Sequence, residues 1–412
     1  MLIAIGTDVV FRRARGRAHI ELGVPLSPDH VFEIASVTKM FTAATILKLA
    51  QAGKLSLDDS LASYLPDFPS ASMITMRQLL SHTAGISDRA KDPQPGFGRR
   101  DLDLVTRLGE IQKRSLDFPP GTGWHYSNSG FLLLGAVIEK VTGEPWHVAL
   151  QKMLLEPLRL ERTQYGAHAP IIPGRAAGYT TDGQTRLVSN AEFISMTTPA
   201  SAGALVSTVD DLLVWIRALA TGRVISPKNF QDMITPTTNL PGASTAYGYG
   251  YGTYIWRVRG ATMIGHTGQI DGFASAVGYL PERDITVIVL ANDDNFDART
   301  MGRRLAAMAL GEPYAGVVAV PASDEELRAL EGTYRVNENT LRTLSVRNGQ
   351  LYSQRGSGNV IPLQMTASKQ LHFVPDELSY FMPVKDAGGK VTRLDYFENG
   401  EGPPIPLPRI QP

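Results

Sequence analysis

The chain has no cysteine. That removes disulfides, thiolate metal sites and a cysteine nucleophile together. It has no excess charge either: Lys+Arg and Asp+Glu are both 40 among 412 residues, so the formal net charge is zero. A neutral chain offers no basic stripe for nucleic acid and no acidic solvating tail. No run of about 18 apolar residues occurs, so no segment reads as a membrane-spanning helix. There is no His-Glu-x-x-His and no Gly-rich phosphate loop, so neither a metal nor an organic cofactor is implied. Met1 to Ile5 is too short for the apolar core of a signal peptide and runs into a turn at Gly6-Thr7-Asp8. As the chain stands this reads as cytoplasmic; a leader removed before Met1 would make the protein periplasmic or secreted.

Hydrophobic residues make up 43% of the chain, enough for two or three globular units with a large core. The stretch Phe32-Glu33-Ile34-Ala35-Ser36-Val37-Thr38-Lys39 organises the first of them. Apolar residues run into Ser36, and a helical stripe of Val37, Met40, Phe41, Ala44 and Leu47 follows, with Gly53 available as a left-handed cap. Residues three apart share a helix face, so the Lys39 amine can reach the Ser36 hydroxyl. A serine becomes a nucleophile when a neighbouring base takes its proton, and a desolvated lysine can be that base. The plainer reading is a serine that caps a helix.

Downstream, a Pro/Gly-rich loop, Phe118 to Asn128, leads into an apolar helix that begins at Asn128-Ser129. Tyr126 and Asn128 therefore stand on an irregular loop held by the core, where binding groups collect; alternatively they are a turn tyrosine and a helix cap. His82 ends a short helix begun near Ile74 and reads first as a satisfier of its last carbonyls, with a general base as the sharper alternative. Tyr247 to Gly252 alternates tyrosine and glycine, the pattern of a strand entry where backbone meets backbone. Four strands follow, at 253–259, 262–266, 272–280 and 284–291, as an antiparallel meander. His266-Thr267-Gly268 ends the second, and Gln269-Ile270-Asp271-Gly272 reads as the loop to the third. Helices are expected at 101–114 and 297–310, and Lys91–Arg100 reads as an exposed loop.

A boundary is expected over 311–322, rich in Pro, Gly and Val. Beyond it come short alternating strands at 332–336, 341–347, 350–354, 359–365, 370–374, 379–385 and 390–397, with hairpin signals at Asn348-Gly349 and Asp386 to Gly389. That is a small antiparallel β-barrel. The fold class is α+β: an antiparallel sheet flanked by helices with a mostly helical lobe over about 60–220, plus this barrel. The division expected is 1–318 and 322–412.

Ser36-x-x-Lys39, Tyr126-Ser127-Asn128 and His266-Thr267-Gly268 occur in that order. With Leu79 to Gly85, Pro120-Gly121, Trp124, Leu134 to Glu139 and Asp210-Asp211-Leu212, they make residues 1–310 resemble the serine β-lactamase and penicillin-binding superfamily. The likeness is to its class C-like branch of DD-peptidases, D-aminopeptidases and esterases. The barrel resembles, more weakly, a lipocalin-like domain attached to some of these enzymes.

The resemblance implies that Ser36 forms an acyl-enzyme and that Lys39 and Tyr126 share the acid–base work, with a Tyr126 phenolate stabilised by the lysine as proton acceptor. It implies that Asn128 binds the substrate amide and orients Lys39, and that the N–H groups of Ser36 and Gln269 hold the oxyanion. Thr267 and Gly268 would line the substrate. His266 stands where typical β-lactamases have a lysine; as a partly charged imidazole it would attract a carboxylate only weakly, which argues against efficient β-lactam hydrolysis. A peptide with D-residues is the first substrate expected and a small ester or amide the second. A non-catalytic binder of β-lactams or peptidoglycan is the rival from another class. For the barrel, a gate, a packing partner, an assembly contact and a carrier of an apolar ligand are the roles considered. The partner is thus a small molecule or peptide, with no nucleic acid; nothing in the sequence speaks to the oligomeric state.

Overall fold

A computed structural model describes residues 1–88, 97–183, 185–237, 246–374, 376 and 378–410. The expected loop at Lys91–Arg100 lies outside the described residues as far as residue 96. The chain divides into two compact units. The first comprises Met1–Pro241, Tyr247–Trp256 and Ala261–Leu310; the second comprises Gly242–Ala246, Arg257–Gly260 and Gly311–Pro412.

The first unit is built on a seven-stranded sheet of β1 (Leu2–Ile5), β2 (Asp8–Arg12), β3 (Ala246–Tyr249), β4 (Tyr254–Val258), β5 (Ala261–Ile270), β6 (Phe273–Leu280) and β7 (Ile285–Ala291), in the order β3-β4-β5-β6-β7-β1-β2. β6 reads Phe-Ala-Ser-Ala-Val-Gly-Tyr-Leu and is buried along its whole length, as a central strand covered on both faces must be. The expected loop after His-Thr-Gly is shorter than the sequence suggests. β5 runs on through Gln269 and Ile270, which pair with Ala274 and Phe273 across a two-residue turn at Asp271-Gly272. A polar Gln inside an apolar run looked like a loop because its side chain is exposed while its backbone belongs to the ladder.

The helices of the first unit include α1 (Thr38–Gln51), α2 (Met76–Leu80), α3 (Leu104–Gln112), α4 (Asn128–Thr142), α5 (Ala200–Gly203), α6 (Val209–Ala220) and α7 (Ala298–Ala309). α1 is buried almost all round, with Thr38, Lys39, Thr42 and Thr45 inside as well as the expected stripe. Its polar members each find a carbonyl or amide: Thr42 Oγ1 donates to Ser201 O at 2.6 Å, and Thr38 Oγ1 accepts from Leu205 N at 3.1 Å. Phe41 stacks on Trp215 of α6 with ring centroids 3.9 Å apart. α4 packs on α5 so closely that a Cβ on Gly135 would lie 2.2 Å from Ser201 Oγ. α6 is capped at Thr208, whose hydroxyl accepts from Asp211 N.

The second unit is a closed barrel of β8 (Gly332–Asn337), β9 (Thr340–Arg347), β10 (Gln350–Arg355), β11 (Val360–Met365), β12 (Leu371–Phe373), β13 (Tyr380–Lys385), β14 (Val391–Phe397) and β15 (Ile405–Ile410), preceded by α8 (Asp324–Leu330). Closure comes from β15, which pairs with β14 and with β8. That eighth strand escapes the sequence reading because Pro406 and Pro408 look like breakers. They stand two apart, so the N–H groups they withhold all lie on one side, while Leu407 between them points into the core. Tyr334, Leu344, Leu351, Leu363, Leu371, Phe381, Leu394 and Leu407 fill the interior as one packed cluster. Small barrels fill with their own side chains, and these inward positions do so.

Candidate active site

The chain enters the site through the two-residue strand Phe32–Glu33, which pairs with Leu205–Ser207. It then turns through a short 3-10 segment, Ala35–Val37, into α1. Ala35 has φ of 46°, a left-handed conformation that L-residues rarely adopt, immediately before Ser36. β5 lies hard against this turn: a Cβ on Gly268 would meet Ile34 O at 2.3 Å and Ser275 Oγ at 2.4 Å. Glycine at 268 is therefore a requirement of space.

Lys39 is fully buried. Its Nζ lies 3.1 Å from Ser36 Oγ, 2.8 Å from Asn128 Oδ1 and 2.8 Å from Ala202 O. Burial lowers its pKa to about 7, with the carboxylate of Asp88 pulling the other way. Near neutrality the amine is therefore divided between charged and neutral forms. In the neutral form two N–H groups satisfy the carbonyls of Asn128 and Ala202, and the lone pair is left for the Ser36 hydroxyl. Lys39 Nζ also lies 4.8 Å from the centroid of the Tyr126 ring.

Tyr126 departs from expectation. Burial drives its phenol pKa well above 10, Tyr254 adds to this, and the hydrogen bond with Ser36 only partly offsets it. The phenolate expected beside a lysine ammonium is not favoured here, because desolvation penalises the phenolate more than the half-neutral lysine helps it.

The loop that carries Tyr126 is held from behind. Ser127, not Asn128, caps α4: its Oγ accepts from Gly130 N at 3.0 Å. Asn128 is the first helical residue, so its side chain is free to take the Lys39 amine. Asp88 accepts from Asn128 N at 2.7 Å, Ser129 N at 2.8 Å and Ser127 Oγ at 3.1 Å, placing a carboxylate at the helix N-terminus. His82 is buried, and its Nδ1 accepts from Ser127 N at 3.1 Å. It braces the loop instead of satisfying the carbonyls of α2, and burial with Lys39 and His266 nearby keeps it neutral.

His266 is also buried, which lowers its pKa to about 3; the Lys39 charge adds to this, and the hydrogen bond with Thr267 O only partly offsets it. Its Nδ1 lies 2.5 Å from Thr267 O and its Nε2 3.1 Å from Tyr249 Oη. A carbonyl only accepts, so Nδ1 carries the hydrogen and Nε2 takes the Tyr249 hydroxyl. The partly charged histidine expected from sequence is thus corrected: it is a neutral strut.

Ser36, Tyr126, Asn128, His266, Thr267, Gly268 and Gln269 line one cavity of about 540 Å³, with Lys39 buried beneath it. Gln269 turns its Nε2 onto Asp294 O at 2.9 Å. In a two-residue hairpin the flanking Ile270–Phe273 pair is the hydrogen-bonded one, so the backbone N–H of Gln269 points away from β6. Asp294, Asp297 and Arg299 also line the cavity. The sequence reading missed these three, Ala202, Asp88 and Tyr249. A backbone carbonyl has no sequence signature, and isolated acids in turns resemble ordinary caps; Asp297 is one, accepting from Thr300 N at 2.9 Å.

A family model described as Beta-lactamase matches residues 1–310. The chain is 30% identical over 305 residues to Protein flp of Staphylococcus aureus (strain MRSA252), covering 71% of this chain and 58% of that one. It thus spans little more than half the length of that relative. It is 29% identical over 291 residues to Esterase EstB of Burkholderia gladioli, covering 61% of this chain and 73% of the esterase. The structure superposes on the D-amino acid amidase from Ochrobactrum anthropi SV3, solved with L-phenylalanine amide, with a TM-score of 0.66 and 26% identity, covering 75% of this chain and 93% of the amidase.

Proposed function

The chain belongs to the Beta-lactamase family, and from that premise we propose that it is a serine hydrolase working through an acyl-enzyme on Ser36. The observation that carries this is the buried Lys39 amine, poised near pKa 7 at 3.1 Å from Ser36 Oγ with two carbonyls occupying its other hydrogens. Neutral Lys39 takes the Ser36 proton as the oxygen attacks a carbonyl carbon. Tyr126, held protonated by its surroundings, donates toward the leaving group and recovers a proton through Lys39. The N–H groups of Ser36 and Gln269 receive the oxyanion, and the Asn128 amide N–H₂, oriented by the bond of its Oδ1 to Lys39, binds the acyl side of the substrate. Water then cleaves the acyl-enzyme.

The substrate class we favour is an amide or peptide containing a D-residue. A cavity lined by two aspartates and an arginine suits a substrate with its own charged ends better than a plain ester, and the D-amino acid amidase likeness points the same way. The second reading is a carboxylesterase, favoured by the likeness to Esterase EstB. Weak β-lactam hydrolysis and non-catalytic binding of β-lactams or peptidoglycan are the further alternatives.

Intact-mass spectrometry after fluorophosphonate or penicillin treatment tests the nucleophile: one adduct is expected on the native chain and none on Ser36→Ala. An adduct persisting on that variant overturns the assignment. D- and L-aminoacyl amides, D-Ala-D-Ala peptides, p-nitrophenyl esters and a chromogenic cephalosporin then separate the substrate classes. Turnover of the D-amides or D-peptides above the esters is the expected result, and turnover of esters alone moves the reading to the esterase.

A further inference from the structure

We propose that Asp88 is a positioning residue for the Ser36 reaction, which holds the Tyr126-Ser127-Asn128 loop from behind and brings a negative charge to bear on the Lys39 amine. The inference rests on the hydrolase reading and adds to it the group that sets where on the pH scale that chemistry begins.

A helix leaves its first N–H groups without intrahelical partners, and in α4 they are met from three sources. Ser127 N donates to His82 Nδ1 at 3.1 Å, and Gly130 N donates to Ser127 Oγ at 3.0 Å. Asp88 takes the rest with both of its oxygens. Oδ2 accepts from Asn128 N at 2.7 Å, and Oδ1 accepts from Ser129 N at 2.8 Å and from Ser127 Oγ at 3.1 Å. Ser127 alone is an ordinary cap. Asp88 adds a full charge and a grip on three consecutive residues.

The middle one of the three is Asn128. Its backbone N–H is on Asp88, and its Oδ1 accepts from Lys39 Nζ at 2.8 Å. One residue thus joins the carboxylate to the amine, and Tyr126 stands two residues before it with its ring centroid 4.8 Å from Lys39 Nζ. A loop shifted by about 1 Å would carry Asn128 and Tyr126 away from Ser36 together, and a displacement of that size can cost about 10² in rate.

The charge acts on the same pair of groups. His82 and His266 face Lys39 but are kept neutral by burial, and Tyr126 is kept protonated. Arg114 lies on the loops around Asp88, where its Nη1 donates to Ser87 O at 3.2 Å and Ser129 Oγ at 3.1 Å. Asp294, Asp297 and Arg299 line the cavity over Ser36. The carboxylate of Asp88 is what favours the Lys39 ammonium against burial, and it also opposes ionisation of Tyr126. Burial alone would leave Lys39 less basic and so a poorer acceptor of the Ser36 proton at neutral pH.

The rate of Ser36 labelling by a fluorophosphonate, followed by intact-mass spectrometry between about pH 5 and 9, tests this on the full chain. The native rate should rise with pH and level off above about 7. Asp88→Asn removes the charge and keeps the shape. Without the anion the ammonium is less favoured, so the limb should move down by about half a pH unit, and the rate at pH 6 as a fraction of its plateau should rise about threefold. The plateau itself should fall about tenfold or more, because an amide nitrogen cannot accept the hydrogens a carboxylate oxygen accepts. Asp88→Glu restores the charge and should restore the native limb. Melting curves check folding, and Asp88→Ser decides if Asp88→Asn fails to fold. A folded neutral variant with the native limb reduces Asp88 to a helix cap and overturns the proposal, as does a limb moved to higher pH; an unchanged plateau overturns the positioning part. Each of these failures leaves the native chain labelled on Ser36. Failure of the hydrolase reading shows instead as a native chain that is not labelled, and it overturns this inference too.

Discussion

The first unit and the barrel each hold a largely buried cation with no ion pair to a carboxylate among the described residues, and the consequences are opposite. In the first unit the cation is Lys39, an ammonium whose pKa burial brings down to about 7. It can shed its proton and still satisfy Asn128 and Ala202, so desolvation turns it into a base. In the barrel the cation is Arg342, whose delocalised guanidinium holds its proton at any ordinary pH. Burial lowers its pKa too, but the group stays charged and needs partners: the Ser353 hydroxyl and the rings of Phe373 and Phe381. The same physical pressure yields a proton acceptor where the side chain can neutralise and a set of fixed polar and aromatic contacts where it cannot.

Exchanging the two chemistries is the strongest way to break that comparison. Lys39→Arg keeps charge and reach but abolishes the base, so acylation should fall by about 10⁴, the upper end for a general base. Burst kinetics with an activated ester measure this, and near-native acylation would show that the charge, not the proton transfer, matters. Tyr126→Phe should cost less, about 10², because protonated Lys39 can partly replace the phenol as donor.

Titration sharpens the comparison at one site. The acylation rate should rise with pH and level off above about 7, as Lys39 loses its proton, and lie about tenfold below the plateau at pH 6. A flat profile between pH 5 and 8 would place the base elsewhere. Stability should follow with a defined sign. Lys39 is neutral in the folded chain above about 7 but charged in the unfolded chain up to about 10.4, so the unfolded state binds the extra proton and the contribution of this group to stability rises with pH across that window. Urea midpoints of the native chain and Lys39→Met across that range measure it. KM for carboxylate substrates should carry no limb from His266 over the same pH range, since its pKa near 3 lies below it.

Glycines give the smallest effects and contrast the regions again. Gly268→Ala should lower stability by about 1–3 kcal/mol and slow acylation, because the methyl group meets Ile34 O and Ser275 Oγ. Gly349→Ala, in the hairpin between β9 and β10, meets nothing within 4 Å but has φ of 72°. It should cost about 1 kcal/mol by conformation alone and leave acylation unchanged. Denaturant midpoints and acylation rates of both variants separate crowding from backbone preference.

Much of this architecture is visible along the chain because it depends on near neighbours. The three-residue spacing of Ser36 and Lys39, the meander of β5 to β7, the cap at Thr208 and the hairpin at Asn348-Gly349 each follow from local geometry that one short window contains. The eighth barrel strand was hidden because proline rules describe an isolated segment, whereas β15 is defined by the partners on its two sides.

By itself, then, the sequence determined which groups are available: a serine and a lysine on one helix face, a tyrosine and an asparagine at a helix entrance, and a histidine on a strand. Tertiary structure decided what those groups are at a given pH. Lys39 is brought near 7, Tyr126 is held protonated and His266 is kept neutral by burial, among partners as distant in sequence as Ala202 for Lys39 and Tyr249 for His266. Burial is a sum over contacts that the fold collects from the whole unit, and no local spacing of residues encodes that sum.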